Sequence, residues 1–380
     1  MLRVGKGFIM SSSIKVAHLT TVHSRYDVRI FEKMSISLSN YGYEVYLIVA
    51  DCKGDEKKNN INIIDIGMPS GRFTRLFKFS IKMFRSAIEI NASIYHIHDP
   101  ELIPLGLLLK KRGKKVVFDS HEDVPKDILV KEYIPNFLRK PISVIYKYIE
   151  HSSCRKFDGI VAATPYIRDR FKLINSNTID INNYPLLHEF RDENSWSDKK
   201  KQVCYVGGIT KKRGVLEFVK AMENVPVGIN LALAGRFSDK ELEQKTKLQL
   251  GWEKVDNLGW QNRQGIATIL DESIAGLVTL HPIQTYLDSL PVKMFEYMAA
   301  GIPVVASDIP LWREIVEDAN CGICVDPFVP ESIADAILYL VDDLDEARLL
   351  GQNGRKAVLE KYNWPMEEKK LVSLYTELLS

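Results

Sequence analysis

From Asp288 to Pro310 the chain reads DSLPVKMFEYMAAGIPVVASDIP, and these residue types suit an anion seat flanked by carboxylates. Ser289 is a candidate N-cap, Pro291 stands close to the first helical position, Glu296 falls on the second turn and Gly301 ends the helix. The start of such a helix presents unpaired backbone N–H groups and the positive end of its dipole, which together hold a diphosphate well. Lys293 and Glu296, three apart, share a face. Asp288, just ahead of the helix, can accept charge-assisted hydrogen bonds from sugar hydroxyls. A second reading stays open: a capped helix packed on its sheet, with Lys293 and Glu296 as a surface ion pair.

Two further segments carry candidate chemistry. Tyr205-Val-Gly-Gly-Ile-Thr-Lys-Lys-Arg-Gly214 is a strand that runs into a glycine turn and a basic cluster. Gly207 and Gly208 let a ligand approach the backbone, and Lys211, Lys212 and Arg213 can neutralise phosphates; a solvated basic loop is the plainer alternative. Ile94-Tyr-His-Ile-His-Asp-Pro-Glu101 is a strand ending in His98-Asp99-Pro100, with His96 on the same side by the period of two. Without more information both histidines also suit a core role. The next strand ends in Asp119-Ser-His-Glu122, which adds His121 and Glu122 as lesser candidates for the acceptor or sugar side.

These motifs resemble those of the family 4 retaining glycosyltransferases of the GT-B fold. The family signature is two acids separated by seven residues, then a helix ending in Ala-Gly-x-Pro-Val; here Glu296 is the second acid and Asp288, a shortened acid, takes the first place. The resemblance implies that Glu296 binds the nucleotide ribose and Asp288 the donor sugar. It implies that Arg213, before Gly214, belongs to a basic pair gripping the diphosphate. The partner position is Gly208 here, so the second charge falls to Lys211, Lys212 or Lys293. Ser289 and Leu290 complete the donor-binding set, and His98 approaches the donor sugar. The resemblance further implies retention of configuration without a metal or cofactor, a UDP- or GDP-linked donor, and a glycan or lipid-linked acceptor of bacterial surface polysaccharide synthesis. A GT-B nucleotide-sugar epimerase and a non-catalytic nucleotide-sugar-binding protein are the alternatives.

Such a site requires strands that end at one edge, and the sequence supplies them. Short β-rich runs alternate with longer helical patterns, the rhythm of parallel α/β sheets. Strands are expected at 14–20, 43–50, 93–98, 115–120 and 159–163, with helices at 28–41, 73–91, 102–112 and 137–154. After the polar run RDENSWSDKKK at 191–201, which reads as a linker, the rhythm restarts. Strands follow at 202–206, 229–234, 255–258, 274–279, 303–306 and 323–325, and helices at 215–223, 239–250, 263–271, 291–300, 331–342 and 363–379. The expectation is two Rossmann-like doubly wound domains facing each other across a cleft. They span 1–190 (acceptor side) and 202–362 (donor side), with helix 363–380 packing back on the first. The first β–α turn, TTVHSRYD at 20–27, lacks the glycines of a dinucleotide site. Asp27 and Arg29 there either cap the next helix or line the acceptor side.

Composition narrows the class. A length of 380 residues suits two domains, and 46% apolar with 26% charged residues suits a globular protein. A formal net charge of +2 gives no basic field for a nucleic acid. The five cysteines are odd in number and scattered, which suits a reducing compartment, and Cys321-Gly-Ile-Cys324 reads as buried strand cysteines beside a turn. No Asp-x-Asp cluster, where Mg²⁺ or Mn²⁺ would bridge phosphates, is present. Met1–Met10 is a poor signal peptide and no run is long enough to span a membrane, so the expectation is a cytoplasmic protein, with peripheral contact at the inner face of the membrane as one option. That option rests on 72–91, where Phe73, Leu76, Phe77, Phe84 and Ile88 share one face and Arg75, Lys78, Lys82 and Arg85 the other. The phenylalanine face is expected to pack on protein. The basic face is either solvated or meets anionic headgroups.

Overall fold

The computed structural model describes residues 13–131, 133–190, 196 and 199–380, with the backbone alone at Arg72. Met1–Met10 and most of the polar run at 191–201 lie outside the described residues. The chain divides into two compact units, Met1–Asn182 with Glu367–Ser380, and Asn183–Met366.

The first unit is built on eight strands: β1 Lys15–Leu19, β2 Glu44–Val49, β3 Glu56–Lys58, β4 Ile61–Asp65, β5 Ile94–Ile97, β6 Lys115–Ser120, β7 Gly159–Ala162 and β8 Thr178–Asp180. Their order is β3-β4-β2-β1-β5-β6-β7-β8, parallel except for the β3–β4 pair. The order reverses direction between β1 and β5. At such a switch point the loops leaving adjacent strands part and open a crevice at the carboxyl ends. Thr20 and Thr21 after β1 and His98 and Asp99 after β5 stand there.

The second unit has six strands: β9 Gln202–Val206, β10 Asn230–Ala234, β11 Val255–Gly259, β12 Ala275–Val278, β13 Val304–Ser307 and β14 Gly322–Val325. They run in the order β11-β10-β9-β12-β13-β14, so the switch point lies between β9 and β12. Successive residues face opposite sides. Cys204, Ala232, Val278 and Val304 enter one core, while Val203, Leu231, Leu277 and Val305 enter the other. Burial on both faces explains why these strands read as unbroken apolar runs in the sequence.

Three features of the structure depart from expectation. Ser289 does not cap its helix: its hydroxyl donates to Tyr286 O at 3.1 Å, and the helix Val292–Ala299 begins after Pro291. The helix at 28–40 opens with wide π-type turns at Val28–Ser35, capped by Asp27, whose carboxylate accepts from Arg29 N and Ile30 N. In the segment after Arg72, Phe73 and Phe77 are 82% and 69% exposed. The core is met instead by Phe79, Met83, Ala87 and Ile90. Another set of π-type turns, Arg75–Phe79, rotates the face, so the periodicity that groups Phe73 with Phe84 does not hold through it. Among the described residues no helix is long and apolar enough to cross a membrane.

Candidate functional site

In the second unit the site grows from how Val292–Ala299 docks. The Tyr297 ring fills the space over Gly276 of β12, where an added Cβ would come within 2.2 Å of it. Its hydroxyl accepts from Val206 N at 3.0 Å, at the point where β9 ends. That contact sets the helix beside the glycine turn and brings Lys293 over it. Lys293 Nζ lies 3.6 Å from the centroid of the Tyr205 ring. Arg213, held by the tight turn Lys211–Arg213, donates through Nη1 to Gly208 O at 3.0 Å, and Tyr205 Oη donates to the same carbonyl at 2.9 Å. A Cβ at Gly208 would stand 2.9 Å from the Arg213 guanidinium, so glycine here makes room for the cation.

Gly207, Gly208, Arg213 and Lys293 thus come together. The Lys293 ammonium is enclosed without a hydrogen-bond partner among the described residues. Burial, then the nearby Arg213 charge, pushes its pKa well below the lysine range. An enclosed amine in this state favours an arriving anion, which supplies both missing bonds and counter-charge. Lys212, beside Arg213 in the chain, is exposed, and its carbonyl accepts from His281 N at 3.0 Å.

Glu296, on the same helix, is buried and bound to Arg263, whose Nη1 donates to Oε1 at 2.7 Å. Arg263 also grips Glu189, through Nε at 3.0 Å and through Nη2. The guanidinium loses hydration, but the two carboxylates outweigh that and raise its pKa. Asp288, Ser289 and Leu290 lie in the half-buried loop before the helix, which Trp312 braces by donating Nε1 to Ser289 O at 2.7 Å.

Beside the glycine turn a cavity of about 370 Å³ opens at the ends of β9, β10 and β11, lined by Gly207, Gly235, Arg236, Trp260 and Gln261 among others. Trp260 is 64% exposed, and the Arg236 guanidinium lies 5.6 Å from its ring centroid. The backbones at Gly235 and Gly207 approach so closely that a Cβ on Gly235 would fall 1.9 Å from Gly207 O.

The first unit gathers a different constellation at its switch point. His18 Nδ1 and His98 Nε2 are 2.8 Å apart, and His98 Nδ1 lies 3.1 Å from Asp119 Oδ2. Arg29 forks onto Asp119 through Nε (2.9 Å) and Nη2 (2.8 Å) and donates to Ile181 O. His121 Nε2 reaches the same carboxylate at 3.0 Å. Burial opposes charge on Asp119, but Arg29 and His121 prevail and hold its pKa well below the carboxylate range. Burial drives His98 the other way, down to about 3, against the pull of Asp119. His98 therefore sits neutral and buried, both ring nitrogens engaged inside the unit, which is the core role that the sequence also allowed. His121 is the partly exposed end of the chain. Glu122 is exposed and shares a hydrogen bond with Asp127, whose pKa burial and that bond raise to about 7.

His18, His96 and His98, and separately His98, Asp119 and His121, are close enough to ligate an ion. His18 Nδ1 and His98 Nε2 already face each other at 2.8 Å, however, and Arg29 already neutralises the Asp119 carboxylate, so a dication would meet a guanidinium's charge there. This donor set suits a hydrogen-bonded chain better than a metal centre.

Several of these residues escape sequence reasoning. Arg263 leaves one trace: a cation on the first turn of its helix, after the Asn262 cap, opposes the helix dipole and needs a carboxylate to hold it. Trp260, exposed directly after a strand and a glycine, leaves another. His18 leaves none, and neither does the pairing of Arg29 with Asp119, because only the sheet order brings these residues together.

The sequence profile of the "Glycosyl transferases group 1" family matches residues 188–357, and that of "Glycosyltransferase Family 4" matches residues 28–179. An uncharacterised glycosyltransferase of Methanocaldococcus jannaschii is 27% identical over 263 residues, which is 67% of this chain and 64% of the relative. The match thus spans just under two thirds of that relative's length. Among solved structures, sucrose-phosphate synthase from Thermosynechococcus elongatus superposes with a TM-score of 0.76 at 18% identity, over 96% of this chain and 99% of that one. Anabaena HepE in complex with UDP-glucose gives 0.73 at 14% identity, over 96% and 100%.

Proposed function

We infer that this chain, which belongs to the family 4 glycosyltransferases of the GT-B fold, moves a hexose-type sugar from a nucleoside-diphosphate donor to a hydroxyl of a glycan or lipid-linked acceptor. Transfer proceeds with retention and without a divalent metal, in the cytoplasm and beside a membrane surface, as surface polysaccharide synthesis requires. The observation that carries this reading is the enclosed Lys293 amine, without a hydrogen-bond partner among the described residues, next to Arg213 and the Gly207–Gly208 turn.

In this reading the base enters the cavity against Trp260, and the ribose hydroxyls donate to Glu296. The diphosphate lies between Arg213, Lys293 and the first amides of Val292–Ala299, while Asp288 accepts from the sugar. As the bond from the anomeric carbon to the diphosphate oxygen breaks, the leaving oxygen gains charge, and these fixed cations stabilise it. The acceptor oxygen bonds to the anomeric carbon on the same face, and its proton passes to the departing phosphate oxygen. No protein nucleophile is needed. The first unit serves the acceptor side, with His121 and Glu122 as the groups exposed there and His98 positioning His121 through Asp119. HepE's complex with UDP-glucose supports UDP as the first nucleotide to try.

The test supplies UDP- and GDP-sugars with a glycan acceptor in excess EDTA and reads the anomeric configuration of the product by NMR. Transfer with retention is expected. An inverted product, an epimerised donor, or activity that returns only with added metal would overturn the proposal.

A further inference from the structure

The crossovers β4 to β5, β5 to β6 and β6 to β7 all step in one direction along the first sheet. Right-handed connections then place their helices, Ser80–Ile90, Ile103–Lys111 and Asn136–Cys154, on one face. All three feed the same core, through Met83, Leu105 and Cys154.

The outer side of Asn136–Cys154 is apolar. Its buried residues are Ser143, Glu150, Ser153 and Cys154. At about 100° per residue, Phe137, Leu138, Val144, Ile145, Tyr148 and Ile149 form a stripe on the opposite side, all of them exposed, with Phe137 at 77% and Tyr148 at 76%. Lys140 and Lys147 line one border of the stripe. The remaining charges of the helix turn inward: Glu150 is buried and accepts from Arg170, and half-buried Arg139 donates to Ile134 O. The exposed charge on this helix is therefore wholly basic. The neighbouring helices add exposed Ile81, Lys82, Arg85 and Glu89 on Ser80–Ile90 and Leu108 with Lys111 on Ile103–Lys111, and Phe73 and Phe77 are exposed just ahead of the first of them.

We propose that this helical face, with Asn136–Cys154 as its main element, docks on an anionic lipid surface. The stripe would sink to the boundary of headgroups and acyl chains, its Phe and Tyr rings at interfacial depth, while the lysines meet lipid phosphates. Charge decides the occupant. A two-fold contact with a second copy sets like surface against like and brings Lys140 and Lys147 toward their own equivalents. An anionic headgroup layer complements every exposed charge of the helix. The inference deepens the membrane part of the proposed function and names an element that the sequence reading passed over; it does not depend on the sugar transferred.

The test is sedimentation of the full chain with phosphatidylcholine vesicles, with and without about one third phosphatidylglycerol. Binding to the anionic vesicles only is expected, weakened by salt. Each basic residue near the headgroups is worth roughly fivefold in partition, so Lys140→Glu with Lys147→Glu should cut binding more than tenfold, and Phe137→Ser with Tyr148→Ser by a similar factor. Circular-dichroism melting establishes that these surface variants fold. UDP titration, read at the second unit, should be unchanged in all of them, which separates this proposal from the donor assignment. Failure to bind anionic vesicles, or binding that both double variants retain, overturns it. So does a concentration-dependent dimer in light scattering that Phe137→Ser with Tyr148→Ser dissolves.

Discussion

Arg263 Nη1 donates to Glu296 Oε1 at 2.7 Å while the same guanidinium grips Glu189, so one cation holds two carboxylates of the second unit in place. Glu296 is thereby oriented for the proposed ribose contact. Glu296→Ala should fold normally and lose kcat/KM by about a hundredfold, in keeping with ~3 kcal/mol for bonds to a charged group. Arg263→Ala should raise the donor KM several-fold with a smaller change in kcat, because Glu296 loses its brace and faces Glu189 unshielded. Glu189→Gln should recover part of that loss. A purely structural role would lower Tm and leave KM unmoved.

The proposed contact of Lys293 with the diphosphate makes a proton-linked prediction for donor binding. Its pKa is depressed in the free protein by burial and Arg213, and a diphosphate beside it restores the charged form. Binding of UDP should therefore take up protons at pH values between the depressed value and the ordinary lysine range, and affinity should fall as pH rises through that window. Calorimetry in buffers of different ionisation enthalpy reads the uptake directly. Lys293→Met should abolish the buffer dependence and weaken UDP binding; a wild-type enthalpy independent of buffer would contradict the assignment.

Trp260 is expected to stack on the base. Stacking of a base on an aromatic ring is worth about 1–3 kcal/mol, so Trp260→Ala should raise the Kd for UDP by roughly ten- to a hundredfold and leave inorganic pyrophosphate binding unchanged. Gly235→Ala, whose methyl would collide with Gly207 O, should weaken both ligands, since it displaces the turn itself.

The histidine chain of the first unit gives a prediction for stability. The folded protein keeps His98 neutral down to about pH 3, and burial lowers His18 and His96 in the same direction. An unfolded histidine binds a proton below about pH 6.5. Between these limits the unfolded state holds more protons, so stability falls as pH drops. Differential scanning calorimetry should show Tm declining from pH 7 towards pH 4, less steeply in His98→Asn if that variant keeps the hydrogen bond to Asp119. A flat profile would mean these rings are not enclosed as described.

Much of the architecture could be read from periodicity, because buried parallel strands such as Gln202–Val206 are unbroken apolar runs. Elements with muted contrast could not. Leu344–Glu360 packs through Ala347, Leu350, Gly351, Gly354 and Val358, a stripe largely of small residues that leaves little hydrophobic signal. Glu56–Lys58 and Thr178–Asp180 are short strands of mainly polar residues at the two edges of the first sheet. At the site, Glu296, Lys293, Arg213 and the glycine pair could be picked out because they sit in contiguous motifs. Arg263 with Glu189, and Arg29 with Asp119, are paired across 74 and 90 residues of chain, and local pattern carries no record of such partners. The sequence expectation for His98 overlooked the partners awaiting it on β1 and β6.

The first unit is completed by the last stretch of chain, where Glu367 accepts from Asn182 N at 2.8 Å and the Tyr375 hydroxyl lies 2.9 Å from His96 Nδ1. During synthesis the ribosome therefore releases the whole of Asn183–Met366 before the earlier half receives its final contacts. The later-made half has its whole chain first, while its elder neighbour still lacks the partner of His96 Nδ1. A nascent chain stalled short of Tyr375 should thus be nicked by protease in its oldest residues rather than its newest.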